Sequence, residues 1–129
     1  MLMDTLADAL SQILNAEKVG KSEVNIMPVS KIMVNVIKMM KDRGYLGDYE
    51  IIDNKKGRIL KLKLVGKINK CGVIKPRFSV KLSTYEKYEK RYLPAKDFGI
   101  LIVSTPKGLM THLEAKSKSV GGKLIAYVY

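Results

Sequence analysis

Apolar positions recur at helical spacing through the first forty residues of the chain. Leu6, Leu10, Ile13 and Leu14 share one face, with Asp4 placed to cap the helix and Gly20 placed to end it. Polar and apolar residues then alternate from Glu23 to Met27 and stop before Pro28, which predicts a short strand. Ser30 is an N-cap residue for a second helix, whose apolar stripe is Ile32, Met33, Val36, Ile37 and Met40 and whose end is Gly44. Methionines on such a stripe fill core gaps, and no ligand role is assigned to them. Two further apolar runs, Tyr49–Ile52 and Ile59–Val65, flank Asp53, Asn54, Lys55, Lys56 and Gly57. That spacing predicts a β-hairpin with a basic tip. In its second strand Ile59, Lys61 and Lys63 project to one face, and Leu60, Leu62 and Leu64 to the other. This half of the chain reads α-β-α-β-β.

From Gly66 the pattern loosens around Cys71, Gly72 and Pro76, which predicts a boundary between an N-terminal lobe, residues 1–65, and a C-terminal lobe, residues 66–129. Strands are predicted at Val73–Ile74 and Arg77–Leu82. The segment YEKYEKRY, residues 85–92, fits a short helix or an extended connection, and Leu93-Pro94 ends it. The last thirty residues organise the lobe. An unbroken apolar run, Ile100–Val103, leads into Ser104, Thr105, Pro106, Lys107 and Gly108, read as an exposed turn. A short helical segment, the pair Gly121-Gly122 and a terminal apolar strand follow. The fold class expected is α+β: two small lobes, the second mainly β with a short helix.

Composition sharpens this picture mainly through charge. The 129 residues carry 24 Lys and Arg against 12 Asp and Glu, a net +12. The two halves differ: residues 1–65 hold 11 bases and 8 acids, and residues 66–129 hold 13 and 4. Self-repulsion at this level opposes compaction, so a polyanionic partner is expected, bound mainly by the second lobe. A lysine-rich surface adapted to heat is the plainer alternative, but it would bring as many glutamates as lysines. The hydrophobic fraction of 47 % argues for a folded chain. No apolar run reaches about 18 residues, so no membrane span or membrane partner is expected. The opening MLMDTLADAL carries an acid and no basic stretch, unlike a secretory signal. The single cysteine, Cys71, allows no internal disulfide and fits a cytoplasmic location.

Enzyme chemistry finds little support. One histidine, His112, and one cysteine cannot build a zinc site, and no cofactor is expected. A small hydrolase or transferase using Ser104 or Cys71 with His112 as base is the rival reading from another class. Ser104 to Lys107 matches S-x-x-K spacing but lacks the other penicillin-site motifs, and no phosphate-binding glycine loop occurs. A third reading is an adaptor whose charge recognises acidic proteins. RNA binding absorbs more of the chain. Tyr85, Tyr88 and Tyr92 alternate with Lys87, Lys90 and Arg91, a pattern that stacks bases and meets phosphates; the alternative is a solvated helix with its tyrosines turned inward. Ser104 and Thr105 can exchange hydrogen bonds with base edges and 2′-hydroxyls, and Gly121 and Gly122 let a backbone approach closely.

These residues occur in an order that resembles the small-subunit ribosomal protein eight family, in its archaeal form. The resemblance runs from Met3-Asp4 and Asn15-Ala16 through Pro28, Ser30 and Lys31. It continues through Gly99-Ile100, Ser104-Thr105, Lys107-Gly108, Met110-Thr111, Ala115 and Gly121-Gly122 to the terminal strand. It implies two lobes, α/β and mainly β. It also implies a structural protein, not an enzyme, that binds the central domain of 16S rRNA early in assembly across the minor groove of an irregular helix. Neighbouring small-subunit proteins are implied partners. The chain's own mRNA is a further candidate, since bacterial members repress their own operon. In the family a Ser-Thr-Ser loop makes the central base contacts; Ser104 and Thr105 match its first two positions and Pro106 replaces the third hydroxyl. Thr5 stands where many members have Pro. The RNA-binding residues expected are Ser104, Thr105, Lys107, Gly121 and Gly122, with Lys31 and Arg91 at phosphates.

Overall fold

Ser30 opens a helix as its sequence position predicts: its extended backbone and its hydroxyl, which accepts from the Met33 N–H at 3.3 Å, start helix α2, Lys31–Asp42. This is seen in a computed structural model that describes residues 5–27, 29–54, 57–75, 77–95 and 98–129. The predicted cap Asp4, the breakers Pro28 and Pro76, and the hairpin-tip residues Lys55 and Lys56 lie outside the described residues. Helix α1, Thr5–Lys18, buries Leu6, Ala9, Leu10, Ile13 and Ala16, while Leu14 is only half-buried. Gly20 ends it in the left-handed region, φ +76°, and the Lys21 N–H reaches back to the Ala16 carbonyl at 3.0 Å. Gly44 does the same for α2, which buries Met33, Val36, Ile37 and Met40 and leaves Ile32 half-buried.

Both helices pack on a three-stranded antiparallel sheet. Its strands are β1, Glu23–Ile26, β2, Leu46–Asn54, and β3, Gly57–Leu64, with β3 in the centre. Leu60 and Leu62 are fully buried opposite Ile26 and Val24, and Lys61 and Lys63 take the other face, as the alternation required. Strand β2 is much longer than its apolar run. Asp48, Glu50 and Asp53 are exposed on an edge strand, where backbone pairing does not demand apolar side chains, so hydrophobicity under-reads it. This first compact unit extends to Asn69, and the second begins at Lys70. Past Leu64, Ile68 is buried and the Gly66 backbone bonds to the Glu17 carboxylate.

The second unit is built on β8, Gly122–Val128, which pairs antiparallel with three strands: β4, Cys71–Val73, β5, Ser79–Val80, and β6, Ile100–Thr105. Strand β6 also pairs with β7, Gly108–Thr111, so the order is β4-β8-β6-β7 with β5 beside β8. The strand expected over Arg77–Leu82 shortens to two residues. At Lys81 the chain coils into a 3₁₀ turn, Leu82–Thr84, because the Thr84 hydroxyl accepts from the Lys81 N–H at 2.8 Å and donates to its carbonyl at 3.1 Å. Residues 85–92 are helical: α3 spans Tyr85–Tyr92 and ends where Pro94 favours extended backbone at Leu93. A second short helix, α4, His112–Ser117, directly follows β7.

One irregularity sets which residues face where. Ile102 pairs with Ala126, but the next residue, Val103, pairs with Leu124, so Ile125 is an extra residue in β8. This bulge puts both Leu124 and Tyr127 on the same face as Leu101 and Val103, where they form the core with Tyr85, Leu93, Met110 and Ala115 under the helices. Lys123 is turned to the opposite face, beside Ser104.

Candidate nucleic-acid interface

The turn expected over residues 104–108 is tighter than its composition suggests. Ser104 and Thr105 are still in β6, Gly108 already pairs with Thr105 in β7, and only Pro106 and Lys107 connect the strands. Gly108 has a φ of +114°, a conformation that favours glycine. The Thr105 hydroxyl closes the turn: it donates to the Gly108 carbonyl at 2.8 Å and accepts from the Lys107 N–H at 3.2 Å. Thr105 is buried, and its one hydroxyl proton is committed inside the hairpin. The Thr105 hydroxyl is thus engaged in closing the hairpin. Ser104 and Lys107 are exposed on either side of Thr105.

Ser104 belongs to a row across the sheet. It is opposite Leu109 on β7 and Lys123 on β8, and Lys123 is in turn opposite Ser79 on β5. Directly paired residues share a face, so Ser79, Lys123 and Ser104 present two hydroxyls and an ammonium side by side, all exposed. The sequence reading missed Lys123 and Ser79. Their signal was the exposed polar position beside an apolar run in each strand, obscured by the bulge and by the brevity of β5.

Gly121 and Gly122 permit close approach, but to the chain's own backbone. A Cβ on Gly122 would lie 2.2 Å from the Ser104 carbonyl oxygen, and one on Gly121 would lie 2.5 Å from that of Val80. Their bareness lets β8 fit between β5 and β6 at the hairpin end. They do not cap α4. That position is taken by Ser119, at φ +56°, with the Val120 N–H bonded to the Ala115 carbonyl at 3.0 Å.

The remaining expected residues lie apart from this row. Arg91 is exposed on α3, on the helix-covered side of the sheet, with its guanidinium 5.2 Å from the Phe78 ring centre and 5.5 Å from that of Tyr92. Lys31 is exposed at the first residue of α2, in the other unit. The tyrosines of α3 turn inward. Tyr85 is fully buried and donates to the Val120 carbonyl at 2.9 Å, Tyr88 stacks on Phe78, and Tyr92 stacks on Tyr127. Tyr88 and Tyr92 are half-buried with one ring partner each, the arrangement expected of a helix whose tyrosines turn inward. Burial also holds the Tyr85 phenol above its usual pKa.

His112 is buried, and its ring is engaged from both sides. Nδ1 accepts from the Leu101 N–H at 3.1 Å, which fixes the proton on Nε2, and Nε2 faces the Glu89 carboxylate at 3.6 Å. Glu89 also pairs with Lys116. In this state neither ring nitrogen offers a lone pair to a nucleophile, so the arrangement gives no support to Ser104 or Cys71 chemistry with His112 as base. Cys71 is buried. Among the described residues no cluster of His, Cys, Asp or Glu has a metal-holding arrangement, and no helix is long and apolar enough to cross a membrane.

The fold, the hydroxyl-bearing hairpin and the excess of positive charge meet in one comparison. The family model described as Ribosomal protein S8 matches residues 4–129. That family consists of structural rRNA-binding proteins of the small subunit and is not an enzyme family. The chain belongs to the ribosomal protein S8 family, and it is a small-subunit ribosomal protein that binds rRNA.

Proposed function

We propose that the protein recognises an irregular helix in the central domain of 16S rRNA across its minor groove, and that it binds early enough to nucleate assembly of that domain in the cytoplasm. The observation that carries this reading is the exposed row Ser79, Lys123 and Ser104 beside the Lys107 turn, in the half of the chain with 13 bases and 4 acids. An RNA minor groove is wide and shallow and displays 2′-hydroxyls and base edges, which a flat strand end with short hydroxyl side chains can meet. Ser104 makes the base-edge and 2′-hydroxyl contacts. Lys107 and Lys123 flank it at phosphates, and Lys31 and Arg91 supply further phosphate contacts. Thr105, Gly121 and Gly122 act by holding Ser104 and Lys123 in register.

Filter binding of the central-domain rRNA and of an unrelated duplex of equal length, across a salt series, tests this. A preference for the rRNA that persists as salt rises supports specific readout; equal affinities that fall together overturn it. Lys107→Ala weakens both RNAs alike and lowers the salt slope by about one.

A further inference from the structure

Strand β2 reverses the charge of the molecule. Its nine residues, Leu46–Asn54, contain Asp48, Glu50 and Asp53 and no Lys or Arg, in a chain of net +12. It is also an edge: β3 pairs with one side of it, and among the described residues nothing pairs with the other. Near the middle of that edge Ile51 and Ile52 are 38 % and 41 % exposed. Asp48, near the start, is tied to Lys41 at 3.0 Å and lies within the bulge between Leu46 and Tyr49, so Glu50–Asp53 is in the regular stretch open to pairing. An unpaired strand with exposed isoleucines is a template for another strand unless something covers it.

We propose that this edge takes up an extended basic segment of a neighbouring protein as an added strand. RNA is repelled by a row of carboxylates, whereas the protein's own β3 shows what satisfies it. Opposite Glu50, Ile51, Ile52 and Asp53 stand Lys61, Leu60, Ile59 and Arg58. A strand on the vacant side meets the same four residues, with its own backbone completing the ladder. The partner motif is therefore basic–apolar–apolar–basic in an extended conformation. That the partner is another small-subunit protein rests on the family assignment; the chemistry of the edge does not.

The test uses a fluorescein-labelled peptide of sequence GRILKLKL, with its acidic counterpart GEILELEL as control, in anisotropy titrations at low salt. The full-length protein binds the basic peptide and not the acidic one. The variant E50K/D53K lowers that affinity about tenfold, because two attractive cross-strand pairs become repulsive. The near-isosteric E50Q/D53N lowers it about threefold and guards against misfolding of the first variant. Affinity for rRNA, measured in parallel, is not weakened in either. Unchanged peptide binding in both variants overturns the proposal, as does equal binding of the acidic peptide. A loss of rRNA affinity in E50K/D53K would assign the edge to the RNA interface instead. A wild-type dimer in sedimentation that dissociates in E50K/D53K would make the occupant a second copy of this chain. Failure of specific rRNA binding by the wild type would overturn the rRNA reading alone.

Discussion

Adding one methyl group at Gly122 tests how the hairpin end is assembled. The new Cβ would lie 2.2 Å from the Ser104 carbonyl oxygen, 2.9 Å from its carbon and 3.1 Å from Val103 Cγ1. The nearest of these is more than 1 Å short of ordinary van der Waals contact, which begins near 3.4 Å, and two of the three atoms are backbone. No rotamer change relieves such a clash, so β8 must move away from β6 at the position that sets Ser104 beside Lys123. Overpacking of a well-filled site costs about 1–3 kcal/mol. Losing a ladder hydrogen bond adds about 1 kcal/mol. Gly122→Ala is thus expected to destabilise the protein by about 2–4 kcal/mol in urea unfolding, with weaker rRNA binding under conditions where the variant remains folded. Gly20→Ala is the control. Nothing lies within 4 Å of its added Cβ, and only the left-handed backbone at φ +76° is strained, so about 1 kcal/mol is expected. A Gly122→Ala variant within about 0.5 kcal/mol of wild type would refute the steric account.

Replacing His112 by Phe keeps the volume but leaves the Leu101 N–H and the buried Glu89 short of a partner, and should cost about 2–4 kcal/mol in the same assay; a neutral result would mean that water or a rearranged Lys116 takes over. Ser104→Ala should leave stability within about 0.5 kcal/mol and weaken rRNA binding by about 1–3 kcal/mol. Thr105→Ala should instead lower stability by about 1 kcal/mol, since its hydroxyl closes the turn; the opposite assignment of effects would return Thr105 to the contact surface. Glu17 carries a buried oxygen with no hydrogen-bond partner among the described residues, and burial raises its pKa above the ordinary 4.5 while the Gly66 N–H opposes the rise. Its folded form therefore holds the proton more tightly than its unfolded form. The stability this gives is fully present below pH 4.5 and is lost as pH rises through the raised value. Glu17→Gln should accordingly raise Tm relative to wild type more at pH 7 than at pH 3.5, and a difference independent of pH would contradict this.

Apart from the acidic edge strand β2, the α/β half was legible because its signals agree. Ser30 offers a cap, Met33, Val36, Ile37 and Met40 form a single stripe, and the β3 leucines alternate without interruption. The second half resists such reading where tertiary pairing overrides local pattern. Strand β7 is four residues long and runs directly into α4, so Gly108 looked like the end of a turn when it begins a strand. The Arg77–Leu82 run has strand composition, but a side-chain hydrogen bond at Thr84 bends it away after Val80. Burial of the α3 tyrosines depends on Phe78 and Tyr127, partners distant in register or sequence. For the site, hydroxyls at 104 and 105 were visible as residue types. Which of the two is committed internally depended on the turn being only two residues long.

The extra residue in β8 acts as a phase shift within a single strand. Upstream of Ile125 the side opposite the helices carries Lys123; downstream the same side carries Ala126 and Val128, both buried. One seven-residue strand therefore serves two environments, its side-chain alternation interrupted only at Ile125. Deleting Ile125 would close the bulge into a continuous ladder, with Leu124 still opposite Val103, Ala126 opposite Ile102 and Tyr127 opposite Leu101. Lys123 and Tyr127 would keep their faces. What the deletion would remove is the buried Ile125 side chain and the local twist of the bulge, so Ile125→Val should be tolerated, and a deletion should cost stability while leaving Lys123 exposed.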